Sequence, residues 1–253
     1  MTVPLLDLNE PADWRAGFAC TLGGGTGYGR FNLGMHVGDD PQQVAARRSR
    51  LAAALGVTRI AWLNQVHGVE CLEIGAPQEP PPDADAVWTR ARGLALGILT
   101  ADCVPVLLAG GGCVAAAHAG WRGIAGGILP RLVRRLPAKP RDLRAFIGPA
   151  ISGAVYQVGE EVAEALRAVD LEHCLRAQRP DGTDRRYLAD LIGAARAQLA
   201  ASGVSQVSGG DWCTLTDERF YSYRRASIAL AGAPPAGGPA VGRQASLVWL
   251  RGT

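Results

Sequence analysis

Val44, Arg48, Leu51 and Leu55 recur at helical spacing behind the turn residues GDDP at 38–41, which predicts an amphipathic helix over 42–55 starting near Pro41. Short apolar runs follow at IAWL (60–63), VECLEI (69–74), LALGIL (94–99), VPVLLA (104–109) and CVAAA (113–117), and these predict strands. Over 123–136 the helical period returns, with Ile124, Ile128, Leu132 and Leu136 on one face and Pro130 expected to kink or interrupt it. A strand at 144–148, helices at 158–168 and 187–201, and strands near 203–208 and 246–250 complete a mixed α/β order. No repeat or linker divides the chain, so residues 1–253 are expected to form a single domain. AGAPPAGGPA at 231–240 cannot supply a packed element and reads as a mobile surface loop.

Composition narrows the function classes. The 26 Lys and Arg against 23 Asp and Glu leave a formal charge of 26 − 23 = +3 without long runs of one sign, so nothing demands a nucleic-acid partner. Arginine clusters at 47–50, 131–135 and 224–225 read as solvated helix faces or as anion sites. No apolar stretch is long enough to span a membrane, and MTVPLLDLNEPADW lacks the basic and apolar regions of a signal peptide, which makes a soluble, cytoplasmic protein the expectation. The six cysteines are scattered without a C-x-x-C pair, so disulfides are not expected.

Four histidines are present, and two lie in polar, glycine-punctuated surroundings: His67 in NQVHG and His118 in HAGWRG. TADC at 100–103, at the end of an apolar strand, adds Cys103. Two imidazoles and a thiolate suit zinc, with a fourth position open for water or substrate, although the spacing matches no short metal motif. On residue types alone, Cys103 reads equally as a buried small hydrophobe and the histidines as partners of the backbone. Arg122, just before the helix expected at 123–136, is a candidate anion binder or an exposed cation beside a packed Trp121. Asp102 is placed to orient an imidazole, to accept a proton or to cap a turn. GGGTGYG at 23–29 fits no phosphate-loop pattern, and SYRR at 222–225 reads as a phosphate or base contact or as a surface strand.

Taken together, FNLGMHVGDDP (31–41), NQVHG (64–68), TADCVPVLLA (100–109), AAAHAGWRG (115–123), FIGPAI (146–151), YLADL (187–191), GGDWCT (209–214) and FYSYRR (220–225) closely resemble the laccase-domain (YfiH-type) family, in order and over nearly the whole chain. The resemblance implies one α/β domain with a mixed β-sheet flanked by helices, of a cysteine-hydrolase-type fold. It also implies a metal site on His67, Cys103 and His118. The implied activity is zinc-associated purine nucleoside phosphorylase on adenosine and inosine with phosphate, with adenosine deaminase and methylthioadenosine phosphorylase activity in some members. Cys103, His118 and Asp102 are then the catalytic candidates, and Asn32, Gln65, Arg122, Arg224 and Arg225 the substrate-binding ones. Older descriptions make the family multicopper polyphenol oxidases, but four histidines cannot furnish an oxygen-reducing copper cluster, so copper stands only as the alternative metal. A metal-free Cys103–His118 hydrolase, a peptidoglycan-precursor editing enzyme and a zinc-stabilised binding protein are the other readings, and the oligomeric state stays open. The chain departs from the family pattern at Leu22, Gly27, Arg47 and Leu215 and in a longer 226–241 segment.

Overall fold

The computed structural model describes residues 5–8, 13–21, 28, 31–179, 185–230 and 238–252. Of the two glycine-rich stretches, most of GGGTGYG and residues 231–237 of AGAPPAGGPA lie outside the described residues. The elements run β1 (Leu5–Leu8), β2 (Trp14–Ala19), α1 (Pro41–Leu55), β3 (Arg59–Ala61), β4 (Cys71–Glu73), β5 (Ala86–Thr89), β6 (Leu94–Thr100), β7 (Val104–Gly110), β8 (Cys113–Ala119), α2 (Trp121–Ala125) and α3 (Ile128–Arg135). They continue with β9 (Arg144–Ile147), β10 (Gln157–Val158), α4 (Glu160–Arg167), β11 (Leu175–Arg179), β12 (Arg186–Ala189), α5 (Leu191–Ala201), β13 (Gln206–Gly209), α6 (Tyr223–Ala229) and β14 (Gln244–Leu250).

Local chemistry accounts for the element boundaries. Pro41 opens α1, the Asp40 carboxylate accepts the Gln42 N–H at 2.9 Å, and Gly56 at φ 65° ends the helix. The helix expected over 123–136 is instead two helices, and the break falls at Gly126–Gly127 rather than at Pro130. Pro130 occupies the first turn of α3, where a backbone N–H has no intrahelical acceptor to lose. The helix expected over 187–201 begins only at Leu191. Residues up to Ala189 form β12, and Asp190 caps α5 by accepting the Gly193 N–H at 2.9 Å. SYRR, open to a surface-strand reading, instead starts α6, capped by the Ser222 hydroxyl.

The single mixed sheet becomes three sheets. One has the order β1-β2-β14-β6-β3, a second β13-β9-β7-β8-β5-β4, and a small antiparallel third β10-β12-β11. The first two are mixed: β3 joins β6 in parallel and β13 joins β9 in parallel, while their central pairings are antiparallel. The alternation of side chains along a strand explains why both large sheets read as continuous apolar runs. Ala95 and Leu99 of β6 face α1 with Leu51, Leu247 and Trp249, whereas Leu96 and Ile98 face the second sheet. There they meet Leu107, Ala109, Val114 and Ala116, while Val106, Leu108, Ala115 and Ala117 on the far side of the second sheet pack under Ile124, Ile128, Leu132, Leu166 and Leu199. Four layers result: helix, sheet, sheet, helices.

Gly148 lies where the two sheets meet. A Cβ there would stand 2.7 Å from Phe18 Cε1, 2.8 Å from Pro105 Cγ and 3.0 Å from Ser246 Oγ. Gly148→Ala is therefore expected to lower stability by about 1–3 kcal/mol through overpacking, read as a lower urea midpoint; an unchanged midpoint would show that the sheets can part at this point.

Candidate metal site

Three chain segments meet at one end of the paired sheets. The loop after β3 carries His67, the turn between β6 and β7 carries Cys103, and β8 carries His118. Gln65 ties the first loop to β6 by a two-way bond: its amide nitrogen donates to the Leu99 carbonyl and its amide oxygen accepts the Leu99 N–H, each at 2.8 Å. His67 itself stands at φ 60° and Asp102, beside Cys103, at φ 106°, sparsely populated backbone that the surrounding bonds have to hold.

Asp85, one residue ahead of β5, is wholly buried and holds the two histidines together. Its carboxylate accepts the N–H groups of Val66 at 3.1 Å, His67 at 3.1 Å and Gly68 at 2.7 Å, and lies 2.7 Å from His118 Nδ1. Its carbonyl accepts the His118 N–H at 2.7 Å. With Nδ1 so engaged, the other ring nitrogen of His118 is the one left for the site. The donor atoms of His67, Cys103 and His118 lie within 4.8 Å of one another, with His67 Nε2 at 4.0 Å from Cys103 Sγ and the two imidazoles edge-on at 79°. Gly120 leaves the necessary room, since a Cβ there would be 3.2 Å from Cys103 Sγ and 3.3 Å from His67 Cδ2. His67 is exposed, Cys103 half-buried and His118 buried, so the group opens to solvent on the His67 side.

Electrostatics reinforces the grouping. Burial pushes the Cys103 thiol up, but the charge and hydrogen bond of His118, with His67, outweigh it and bring the thiol down to about 6. Burial pushes His118 down, and the Cys103 thiolate and the Asp85 carboxylate reverse this, raising it to about 9. Burial likewise raises Asp85, yet the His118 and backbone hydrogen bonds hold it below the usual carboxylate range. Without a metal, the site is thus a thiolate–imidazolium pair braced by a carboxylate. Two imidazoles and an ionisable thiol form a donor set that fits zinc, and an imidazole braced by a carboxylate is the usual support of a zinc ligand. Among the described residues this is the one His, Cys, Asp and Glu group able to hold a metal ion. The other two histidines, His36 and His173, are exposed and stand outside this group, so the imidazoles of a multicopper cluster are missing.

The remaining candidates have other partners. Asp102 accepts the Thr214 hydroxyl at 2.6 Å and the Arg224 N–H at 2.7 Å, so its carboxylate anchors the start of α6 rather than an imidazole. Asn32 is fully buried: its amide oxygen takes the N–H groups of Gly34 and Arg243, and its amide nitrogen donates to Gly34 and Asp39. Arg47, one of the departures from the family pattern, joins this knot at 2.6 Å from Asp39. Arg225 donates to the carbonyls of Thr214, Leu215, Asp217 and Phe220, which consumes its guanidinium. Arg224 lies over Tyr156 and donates to the Gln157 carbonyl at 2.8 Å. Arg122 lies inside α2, not ahead of it, exposed over Trp121 at 4.2 Å and 3.4 Å from Glu161. Asp85 is the residue that sequence reasoning missed; its signal was an aspartate in DADA directly ahead of an apolar run.

The chain is similar to known proteins over nearly its whole length. The family model described as multi-copper polyphenol oxidoreductase laccase matches residues 15–251. A purine nucleoside phosphorylase of Pseudomonas aeruginosa is 42% identical over 251 residues, covering 97% of each chain. The purine nucleoside phosphorylase YfiH of Escherichia coli is 40% identical over 228 residues, covering 88% of this chain and 87% of its own. Among solved structures, a Neisseria meningitidis protein superposes with a TM-score of 0.85 at 35% identity, over 98% of this chain and 100% of the other. YlmD of Geobacillus stearothermophilus does so at 0.84 and 32%, over 100% and 98%.

Two outcomes follow from the geometry. Asp85→Asn is expected to weaken metal retention about 10–100-fold, because the amide cannot accept all four N–H groups; this is read as zinc lost to a chelator. The second concerns pH. Between about 6 and 9 the metal-free pair carries a proton on His118 that a metal has to displace, so affinity should rise about tenfold per pH unit in that window. It should climb more steeply below about 6, where the Cys103 thiol is protonated as well, and level above about 9. A chelator competition series that stays flat across the window would show that these side chains do not bind the metal.

Proposed function

Because this chain belongs to the laccase-domain family of YfiH-type proteins, we propose that it is a single-domain, zinc-dependent purine nucleoside phosphorylase that cleaves adenosine and inosine with phosphate. Relatives named purine nucleoside phosphorylase support the reaction class. The observation that carries the assignment to a site is the convergence of His67, Cys103 and His118 under one buried carboxylate.

His67, Cys103 and His118 are the residues to hold zinc, which when bound supplies Lewis-acid polarisation and a bound water of lowered pKa. The protein's own groups do the positioning. Asp85 fixes the ring orientation of His118 and the path of residues 66–68. Asp102, next to Cys103 in the chain, holds Thr214 and the start of α6. The sugar carbon gains positive character as the purine leaves, so a site that also accepts phosphate needs an anion-binding group beside the metal. Adenosine deamination and methylthioadenosine phosphorolysis use the same nucleoside scaffold, and we include them as side activities. The cysteine-hydrolase type of fold and a cytoplasmic location complete the reading; no described helix is long and apolar enough to cross a membrane. A second reading rests on the thiolate–imidazolium pair itself, which is the resting state of a cysteine nucleophile and its base.

Purified protein is expected to contain about one zinc per chain, given one three-ligand group, and to release purine base from adenosine or inosine only when phosphate is present. Separation of base, ribose and ribose 1-phosphate distinguishes phosphorolysis from hydrolysis, and inosine formed from adenosine reports deamination. Cys103→Ala should abolish both metal retention and turnover, measured by elemental analysis and base release; a metal-free variant with full activity would sink the zinc mechanism.

A further inference from the structure

Of the polar residues that the family resemblance offered to the substrate, Asn32, Gln65 and Arg225 are engaged by the protein itself, Arg122 is exposed on α2 and Arg224 leans on Tyr156, so the anion-binding group of the site is still unassigned. We propose that Arg243 is the anchor for inorganic phosphate next to the His67, Cys103 and His118 group. The proposal deepens the phosphorylase reading and rests on it.

Arg243 immediately precedes β14, whose first residue Gln244 pairs with Thr100, at the end of the strand that runs into Asp102 and Cys103. Its backbone is pinned at this sheet edge. The Arg243 N–H donates to Asn32 Oδ1 at 2.8 Å, and its carbonyl accepts the Leu33 N–H at 3.1 Å. Gly34 lies flat against the side-chain stem, where a Cβ would meet Arg243 Cγ at 2.9 Å. The buried knot of Asn32, Asp39 and Arg47 is thus a support for Arg243 rather than a contact for substrate.

The half-buried guanidinium uses one nitrogen, Nη1, for the carbonyls of Val241 at 2.8 Å and Gly242 at 3.1 Å. Among the described residues Nε and Nη2 have no acceptor, and no carboxylate forms an ion pair with Arg243. Burial lowers its pKa, and the anionic groups that it senses are those of the site, Cys103 and Asp102, then Tyr223. His36, held down by burial and then by Arg243, Arg48 and His67, belongs to the same cationic neighbourhood. Partly buried N–H groups of a guanidinium that lack an acceptor are unfavourable unless an anion completes them. Two adjacent free N–H groups in a planar fork match two oxygens of a phosphate.

Phosphate held there balances the reaction. One oxygen of hydrogen phosphate forms the bond to C1′ of the ribose, and the C1′–N bond breaks with its electron pair passing to the purine nitrogen. The proton of hydrogen phosphate ends on that nitrogen, giving free base and ribose 1-phosphate.

The test is titration of the zinc-loaded protein with inorganic phosphate, alongside steady-state kinetics with each substrate varied in turn. Arg243→Gln should raise the phosphate Kd and KM about 10–100-fold, the loss of a charge-assisted bond, while the nucleoside KM and the zinc content stay unchanged. Arg243→Lys should recover part of the loss as a point charge. Arg243→Gln with wild-type phosphate affinity overturns the proposal and leaves phosphate-dependent cleavage standing. Wild-type protein that neither binds phosphate nor needs it for base release overturns the phosphorylase reading, and the proposal with it. Should circular dichroism show Arg243→Gln unfolded, Arg243→Lys decides: a severalfold higher phosphate Kd supports the proposal, an unchanged one counts against it.

Discussion

The site depends on the desolvation of one carboxylate. Asp85 is completely buried, and a buried carboxylate is tolerated only when its oxygens are saturated with donors. The donors available are three consecutive N–H groups of the 66–68 loop and one imidazole of β8. Satisfying Asp85 therefore brings His67 and His118 to one place whether or not a metal is present. His67 is held at an unfavourable φ by the same bonds, so the backbone strain and the buried charge are settled together.

A second set of polar contacts ties down the segments around Asp102 and Asn32. Asp102 binds Thr214 and the start of α6, Arg225 gathers the carbonyls between Thr214 and Phe220, and Asn32 joins the Gly34 backbone to Arg243. These residues sit inside the most recognisable motifs of the chain, yet their hydrogen-bonding capacity is spent on the protein. Motif polarity here reflects the need to satisfy buried groups where distant segments converge on a sheet edge. The groups with capacity left over are fewer and less conspicuous, and Arg243 is one.

Periodicity located α1, β6, β7, β8 and β14 well, because each carries enough apolar residues to define its period or its run. It failed where elements were short or decided by long-range pairing. β5 is four residues, all buried, and β12 is distinguished from the helix after it only by the Asp190 cap and by its partners β10 and β11. Nor does a run of apolar strands tell one sheet from two stacked sheets, since burial on both faces looks the same along the chain. At the site, the approach of His67, Cys103 and His118 was legible as residue types and through family resemblance, but their brace was not. Asp85 lies 33 residues from the imidazole that it holds, and only the pairing of β5 with β8 brings them together.

β14 lies at the centre of its sheet, between β2 and β6, far along the sequence from both. During synthesis, the edges of β2 and β6 wait for a partner that leaves the ribosome well after them. The four-layer core cannot close until then, and such open edges are the surfaces on which partly made chains associate wrongly. Arg243 arrives with β14, so it takes its place against Asn32 and Leu33 in the same event that closes the sheet. A chain broken off before this strand would lack a closed first sheet, and so would not persist as a folded molecule.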